Sequence, residues 1–166
     1  MYAKEIAQKI RNEIKALGYT AKKVSVRCNS CGYSDSIRIT IKDIAIPEKA
    51  IVEIANKYES VRYDEYTGEI LEGGNLYIFV EYDYDTVKNA YEPYLEKAEE
   101  VFNTTGEKTV KVMEKNGKEL WYYGGCYGDG RGGQCFEFEN DKFGENIPAR
   151  GKYEVARAMA FFDAQN

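Results

Sequence analysis

Two cysteines stand three positions apart in the segment "RCNSCGYSDS", as Cys28-x-x-Cys31. Zinc knuckles use this spacing, because two thiolates on a tight turn can hold one side of a tetrahedral ion. The alternative is a polar turn between two strands, in which the thiols are not ligands. Both interpretations put the segment at the tip of a β-hairpin.

The remaining cysteines, Cys126 and Cys135, belong to the glycine-rich segment "GGCYGDGRGGQC". If the chain turns at Gly130-Arg131, they lie directly opposite on neighbouring strands, with β-carbons about 4.5 to 5.5 Å apart. All four cysteines together would then form a zinc site, so zinc is the candidate cofactor. If they are ordinary half-buried residues instead, we expect no cofactor.

The absence of histidine restricts the catalytic chemistry of the chain. It excludes Cys-His and Ser-His-Asp mechanisms, which need an imidazole as the base. The glycine-rich segment also lacks the Gly-Lys-Ser/Thr that grips phosphate and magnesium. No carboxylate arrangement matches a known catalytic set, so we predict no enzymatic activity and no catalytic residues.

Carboxylates are concentrated in the middle of the chain. Between Lys57 and Glu100 there are twelve acidic and four basic residues, a net charge of -8, whereas the rest of the chain carries +3. In "NLYIFVEYDYD", strand alternation puts Glu81, Asp83 and Asp85 in one row, about 6.7 Å apart. Because this repeat is of the order of the phosphate spacing in nucleic acid, the row predicts a surface that imitates phosphates and enters a basic channel.

Flanking acids, tyrosines and an exposed Trp/Arg hairpin extend this predicted partner-binding surface. Its residues are Asp64, Glu65, Tyr77, Glu81, Asp83, Asp85, Trp121 and Arg131. A plain alternative is a solvated face that protects a sheet edge. Another is direct nucleic-acid binding by a basic patch on the first hairpin, made from Lys22, Lys23, Arg27 and Arg38, although the acidic balance disfavours it.

The elements that must position these residues are helices and hairpins in alternation. "AKEIAQKIRNEIKALG" has an apolar stripe at helical spacing and Gly18 as a C-terminal cap. A hairpin and a helix after Pro47 follow, then a second strand pair from "SVRYDEY" and "NLYIFVEYDYD". A helix opens at Asp85 or Thr86 and breaks near Pro93, and hairpins, one turning at Asn116-Gly117, precede a closing helix.

This order predicts the α+β class, with antiparallel β-hairpins packed with about four helices. We expect a helix-hairpin-helix-hairpin unit over residues 1–85. Residues 86–166 should form a helix, hairpins and the C-terminal helix, packed on the first unit as one compact body. No apolar segment is long enough to span a membrane and no signal core is present, so we predict a cytoplasmic protein without a membrane partner.

The first half of the chain resembles a known family. "VSVR" at 24–27, a Ser/Gly turn at 30–34, "SIRI" at 36–39 and an aromatic strand at 77–84 follow its pattern. The pattern is that of a large polyvalent protein-associated domain of phages and conjugative plasmids, number twenty-nine of that series. The resemblance covers residues 5 to about 85 and implies a mobile-element setting without catalytic residues. Its turn has serine or glycine where this chain has cysteines, which favours the plain hairpin.

Together these observations predict a non-enzymatic accessory or anti-defence protein of a mobile genetic element. Its expected partner is a host nuclease or another nucleic-acid-handling protein, bound through the acidic, tyrosine-rich surface. The alternative is a nucleic-acid-binding module that uses the basic hairpins, with a structural four-cysteine zinc site as an added option.

Overall fold

The computed structural model of the chain describes residues 2–31, 34–59, 61–63, 70–73, 76–105, 109–125, 133–139 and 142–166. It confirms the α+β class. In chain order the elements are α1 (Tyr2–Ala16), β1 (Val24–Cys31), β2 (Ser34–Ile41), α2 (Glu48–Asn56), β3 (Val61–Tyr63), β4 (Ile70–Gly73), β5 (Leu76–Tyr82), α3 (Tyr84–Tyr91), a 3-10 turn (Glu92–Tyr94), α4 (Leu95–Thr105), β6 (Thr109–Lys115), β7 (Lys118–Tyr123), β8 (Gln134–Glu139), β9 (Lys142–Pro148) and α5 (Lys152–Gln165). The chain divides into two compact units, Met1–Asp83 and Tyr84–Asn166.

Helix α1 buries one stripe of its surface, as its spacing predicts. Ile6, Ile10 and Ile14 are all buried in the core of the first unit. Gly18 has a φ of +87°, the left-handed conformation that ends helices, and its N–H bonds to the carbonyl of Lys15. Leu17, an apolar residue at the same helical spacing, is exposed, because the helix ends one residue earlier.

The predicted first hairpin is confirmed. Strands β1 and β2 pair from Val24 opposite Ile41 to Cys31 opposite Ser34. Alternate side chains of both strands enter the core together with apolar residues of α1 and α2, so both helices pack on the same face of this sheet. Residues 32 and 33, which join the strands, lie outside the described residues.

Strand β5 does not pair as the sequence suggests. The prediction joined "NLYIFVEYDYD" to "SVRYDEY" in an antiparallel hairpin, but β3 pairs with β4 in a separate two-stranded ribbon. β5 instead lies beside β2, in parallel, from Asp35 beside Leu76 to Ile41 beside Tyr82. The sheet order is therefore β1-β2-β5, with α2 in the crossover between β2 and β5.

Three helices, α3, α4 and α5, and a four-stranded antiparallel sheet form most of the second unit. The predicted break at Pro93 is confirmed, because the 3-10 turn separates α3 from α4. Helix α3 begins at Tyr84, earlier than the predicted cap. In the sheet, order β6-β7-β8-β9, Asn116 and Gly117 have positive φ values of 51° and 80° and close the predicted turn. Strand β9 was not predicted, because "KFGENIP" lacks apolar alternation.

The core of the second unit lies between this sheet and its helices. Val155, Met159 and Phe162 of α5 are buried there against Leu120 and Tyr122 of β7. Among the residues that the structure describes, no helix combines the length and apolar character that a membrane span requires.

Candidate functional site

One face of the three-stranded sheet of the first unit is not used by its core. The inward side chains of β1, β2 and β5 contact α1 and α2, so the intervening residues point to the opposite side, called here the open face. Strand register arranges them in three rows across β1, β2 and β5. The rows are Asn29–Ser36–Tyr77, Arg27–Arg38–Phe79 and Ser25–Thr40–Glu81.

Two arginines occupy the centre of the open face. Arg27 and Arg38 are direct partners across the antiparallel pair, so their β-carbons are about 5 Å apart. Both are exposed. Like charges in this relationship destabilise a sheet, because each cation raises the energy of the other. A bound anion would remove that repulsion, and guanidinium groups suit phosphate because they present two parallel N–H donors.

Aromatic side chains complete the same face. Phe79 lies beside Arg38 in the parallel register and is 49% exposed, although it is in the middle of a strand. Tyr77, two residues earlier, is half-buried beside Ser36. An exposed phenyl ring beside two guanidinium groups offers one surface for a flat apolar group and another for an anion.

Glu81 is also on the open face, but it does not belong to a row of carboxylates. Its Oε1 lies 3.5 Å from Nη1 of Arg38, in an exposed ion pair. Strand β5 ends at Tyr82, and Asp85 lies in the first turn of α3. The predicted strand row of Glu81, Asp83 and Asp85 is therefore wrong, because the chain turns into a helix before the row can extend.

The charge of the first hairpin is strongly positive. From Lys22 to Lys42 there are five basic residues and one acidic residue. Nζ of Lys23 lies 2.8 Å from Asp43. This lysine and the Ala45 N–H lower the pKa of the Asp43 carboxyl, so Lys23 already has a counter-ion. Arg27 and Arg38 bring two of the five positive charges of this segment to the open face.

Cys28 and Cys135 do not occupy the positions that the zinc hypothesis assumed. Cys28 lies within β1, opposite Ile37, and packs against the core of the first unit. Cys135 is 0% exposed in the core of the second unit, and burial raises the pKa of its thiol to about 12. The environment of Cys135 therefore disfavours the thiolate that zinc needs.

The predicted pairing of Cys126 with Cys135 is wrong. Tyr122 is the partner of Cys135 in the β7–β8 pair, so the register differs from the one that a turn at Gly130-Arg131 requires. Gly133 lies so close to Tyr122 that a β-carbon there would be 2.4 Å from the tyrosine oxygen. At this position the glycine is required by packing, which is independent of phosphate or metal.

The other parts of the zinc hypothesis lie outside the described residues. These are Cys126 and the side chain of Cys31. Among the side chains that are described, no group of three or more metal-binding residues is found. A four-cysteine zinc site stays a prediction.

Trp121, another residue of the predicted partner surface, belongs to the second unit. Trp121 lies in β7, where its indole N–H donates to Oε2 of Glu119 at 3.0 Å. Its ring meets Phe138 edge to face, with centroids 6.1 Å apart. Trp121 is therefore half-buried in the outer aromatic face of the second sheet. Asp64, Glu65 and Arg131 lie outside the described residues.

Comparisons of the chain with protein-family models, with curated proteins and with solved structures return no match. The resemblance to the polyvalent protein-associated domain stays a prediction.

Sequence reasoning identified part of the open face and missed the rest. It assigned Arg27 and Arg38 to a basic patch and Tyr77 to a partner surface, but it did not bring them together. Phe79 was not selected at all. The strand alternation already put Phe79 and Tyr77 on one face. It did not show that β2 is the neighbour of β5, which brings Phe79 beside Arg38.

Proposed function

We propose that the first unit is a nucleic-acid-binding module whose open face holds the phosphate backbone. The observation that carries the proposal is the pair of directly opposed, exposed arginines, Arg27 and Arg38, beside the exposed Phe79. Arginine pairs and aromatic rings on an open sheet are a combination that nucleic acids match, with phosphates for the cations and bases for the rings.

Local charge supports the proposal despite the acidic chain. The protein carries -5 overall, but long-range repulsion is screened within about 10 Å at 0.1 M salt. Two of the three strands of the open face belong to the hairpin with the basic excess, so a phosphate over Arg27 and Arg38 is nearest to positive groups. We expect moderate affinity that falls steeply with salt.

The test is fluorescence anisotropy with a labelled twelve-nucleotide oligonucleotide at several salt concentrations. Arg27→Gln with Arg38→Gln should weaken binding, and the slope of log K against log salt should fall by about 1 to 1.5, since two phosphate contacts are lost. The matched control is Lys9→Gln with Lys49→Gln, which removes two exposed positive charges from α1 and α2 on the other side of the sheet. If the two double variants weaken binding equally, the effect depends on the total charge of the protein and not on the open face, and the proposal is wrong.

A second candidate function is the accessory role that the sequence suggests, with capture of a basic nucleic-acid-handling protein. The observation in its favour is Tyr84, 74% exposed beside the exposed Asp85 at the start of α3. Exposed tyrosines flanked by charge are common anchors in protein interfaces. Glu92 and Glu96, both exposed, extend the acidic surface within the second unit.

The two candidates respond to different substitutions. Asp85→Lys, Glu92→Lys and Glu96→Lys in combination should abolish capture of a basic partner protein in a pull-down, while oligonucleotide binding by the first unit persists. Capture that survives this triple variant and is lost with the arginine variant would assign both activities to the open face.

A further inference from the structure

We infer that the open face selects single-stranded nucleic acid, with one base stacked on Phe79 and its neighbour on Tyr77. This inference rests on the proposed function of the same face and adds the class of nucleic acid. Single-stranded RNA and DNA share the relevant chemistry, which is an unpaired base joined to a phosphate.

The exposure of Phe79 is the first observation. A phenylalanine that is 49% exposed in the middle of a strand leaves apolar surface in water, where a polar side chain would serve the sheet equally well. An unpaired base can cover that ring, because every base has a flat aromatic surface. The bases of a duplex are stacked on one another and hidden, so a double helix cannot reach the ring without being opened.

The placement of Tyr77 is the second observation. It lies two residues before Phe79 on the same strand and the same face, about 6.7 Å away along β5. Two aromatic positions at this separation can receive successive bases of an extended strand. The phosphate between them then lies over β2, where Arg38 is the direct neighbour of Phe79 and Arg27 is one strand further.

The small polar residues of the open face are the third observation. Ser36 and Thr40 flank Arg38 along β2, and Asn29 stands at the end of the row that contains Tyr77. Short hydroxyl side chains leave room for a base to lie flat on the sheet. The Asn29 amide can both donate to and accept from a base edge, which an unpaired base presents.

The experiment compares the binding of four ligands to the 166-residue chain by anisotropy and by competition. They are a twelve-nucleotide DNA, the RNA of the same sequence, the DNA duplex of that sequence and inorganic polyphosphate as a base-free polyanion. We expect the two single strands to bind about tenfold more tightly than the duplex. Phe79→Ala should weaken single-strand binding by about tenfold and leave polyphosphate binding unchanged.

Two further variants separate stacking from a general loss of structure. Phe79→Trp should retain binding, and its tryptophan emission should be quenched by single strands beyond the change seen in the wild-type protein. Tyr123→Ala is the matched control, since it removes a partly exposed aromatic ring from a sheet strand of the second unit. It should leave every affinity unchanged.

Each outcome is decisive for one of the two claims. If the duplex binds as tightly as single strands and Phe79→Ala changes nothing, the stacking inference is overturned. The proposed function survives that result as long as the arginine variant still weakens binding. If the wild-type protein binds the single-stranded RNA but not the single-stranded DNA, the inference is upheld and RNA is assigned as the ligand. If no oligonucleotide binds, both claims fail.

Discussion

Arg27 and Arg38 face each other directly across β1 and β2 on the exposed side of the first sheet. Among the described residues Arg38 has the carboxylate of Glu81 within 3.5 Å, whereas Arg27 has no ion-pair partner there. The chain therefore retains a repulsive pair at a position where many neutral residues would fit a strand. We interpret this pair as a cost that ligand binding offsets.

Arg27→Gln should stabilise the free protein while it weakens nucleic-acid binding. Removal of a like charge directly opposite Arg38 should raise the free energy of unfolding by about 0.2 to 1 kcal/mol in urea titrations at low salt. The gain should shrink at about 1 M salt, where charge interactions are screened within a few ångströms. Arg27→Lys is the control, because it keeps the charge and should give no gain.

Glu81→Gln should tighten oligonucleotide binding. In the free protein the carboxylate of Glu81 pairs with Arg38, and a phosphate must displace it to bind there. Neutralising the carboxylate therefore leaves the guanidinium available and removes a local negative charge. The ion pair is exposed, and we expect its loss to lower stability by less than about 1 kcal/mol. Anisotropy and urea unfolding measure the two effects, and weaker binding by this variant would contradict competition at Arg38.

Tyr94 should contribute to a loss of stability of the second unit at alkaline pH. Tyr94 donates to Oδ2 of Asp163 at 2.6 Å, and Lys115 lies 3.0 Å from Oδ1 of the same carboxylate. The hydrogen bond to Asp163, with burial, raises the pKa of Tyr94 from 10.0 to about 12. Because this pKa is raised in the folded state, its stabilising contribution is complete below pH 10 and is lost as the pH rises towards 12.

Tyr94→Phe removes that dependence. The variant should be about 1 to 2 kcal/mol less stable than the wild type at neutral pH, since a hydrogen bond to a charged acceptor is lost. Its free energy of unfolding should then fall less between pH 10 and 12 than that of the wild type.

The pKa of Asp163 is shifted in the opposite direction, because Tyr94 and Lys115 lower the pKa of its carboxyl. Its contribution is present above the unfolded-state pKa and is lost as the pH falls through the folded-state value.

Cys135 should be unreactive in the folded protein. Its thiol is buried and its pKa is raised to about 12 by that burial, so little thiolate forms at pH 8. Ellman's reagent should label it only after unfolding, with the labelled residue assigned by peptide mapping. A zinc chelator should not change the rate at which the reagent labels Cys135. Rapid labelling of Cys135 after chelation, with release of about one zinc per chain, would support the four-cysteine site instead.

Local signals in the sequence were sufficient for most individual elements. Gly18 ends α1, Asn116-Gly117 turns β6 into β7, and Pro93 breaks the long helix, because each of these residues restricts its own backbone. The apolar faces of α1, α2 and α5 followed from spacing alone. These features depend on a few neighbouring residues, and the sequence displays them directly.

Pairing between distant strands could not be obtained in this way. The alternation in β5 is the same whether its neighbour is antiparallel or parallel, and the glycines before it favoured a hairpin with the preceding strand. Likewise the many glycines between Tyr123 and Gln134 allow several turn positions, and only the packing of Tyr122 with Cys135 fixes the register. The candidate site was missed for the same reason, since Phe79 is a candidate binding residue only because Arg38 lies beside it on another strand.

The parallel neighbour of β2 also affects how the first unit can be assembled. Ile37 and Ile39 gain their second strand only when Ile78 and Val80 have been made, after α2 and the β3–β4 ribbon. During synthesis the β1–β2 hairpin therefore has an apolar, unpaired edge for the time needed to add that segment. Contacts of such long sequence separation slow folding, so this unit should fold late relative to the emergence of its first half and should be the part most dependent on chaperones.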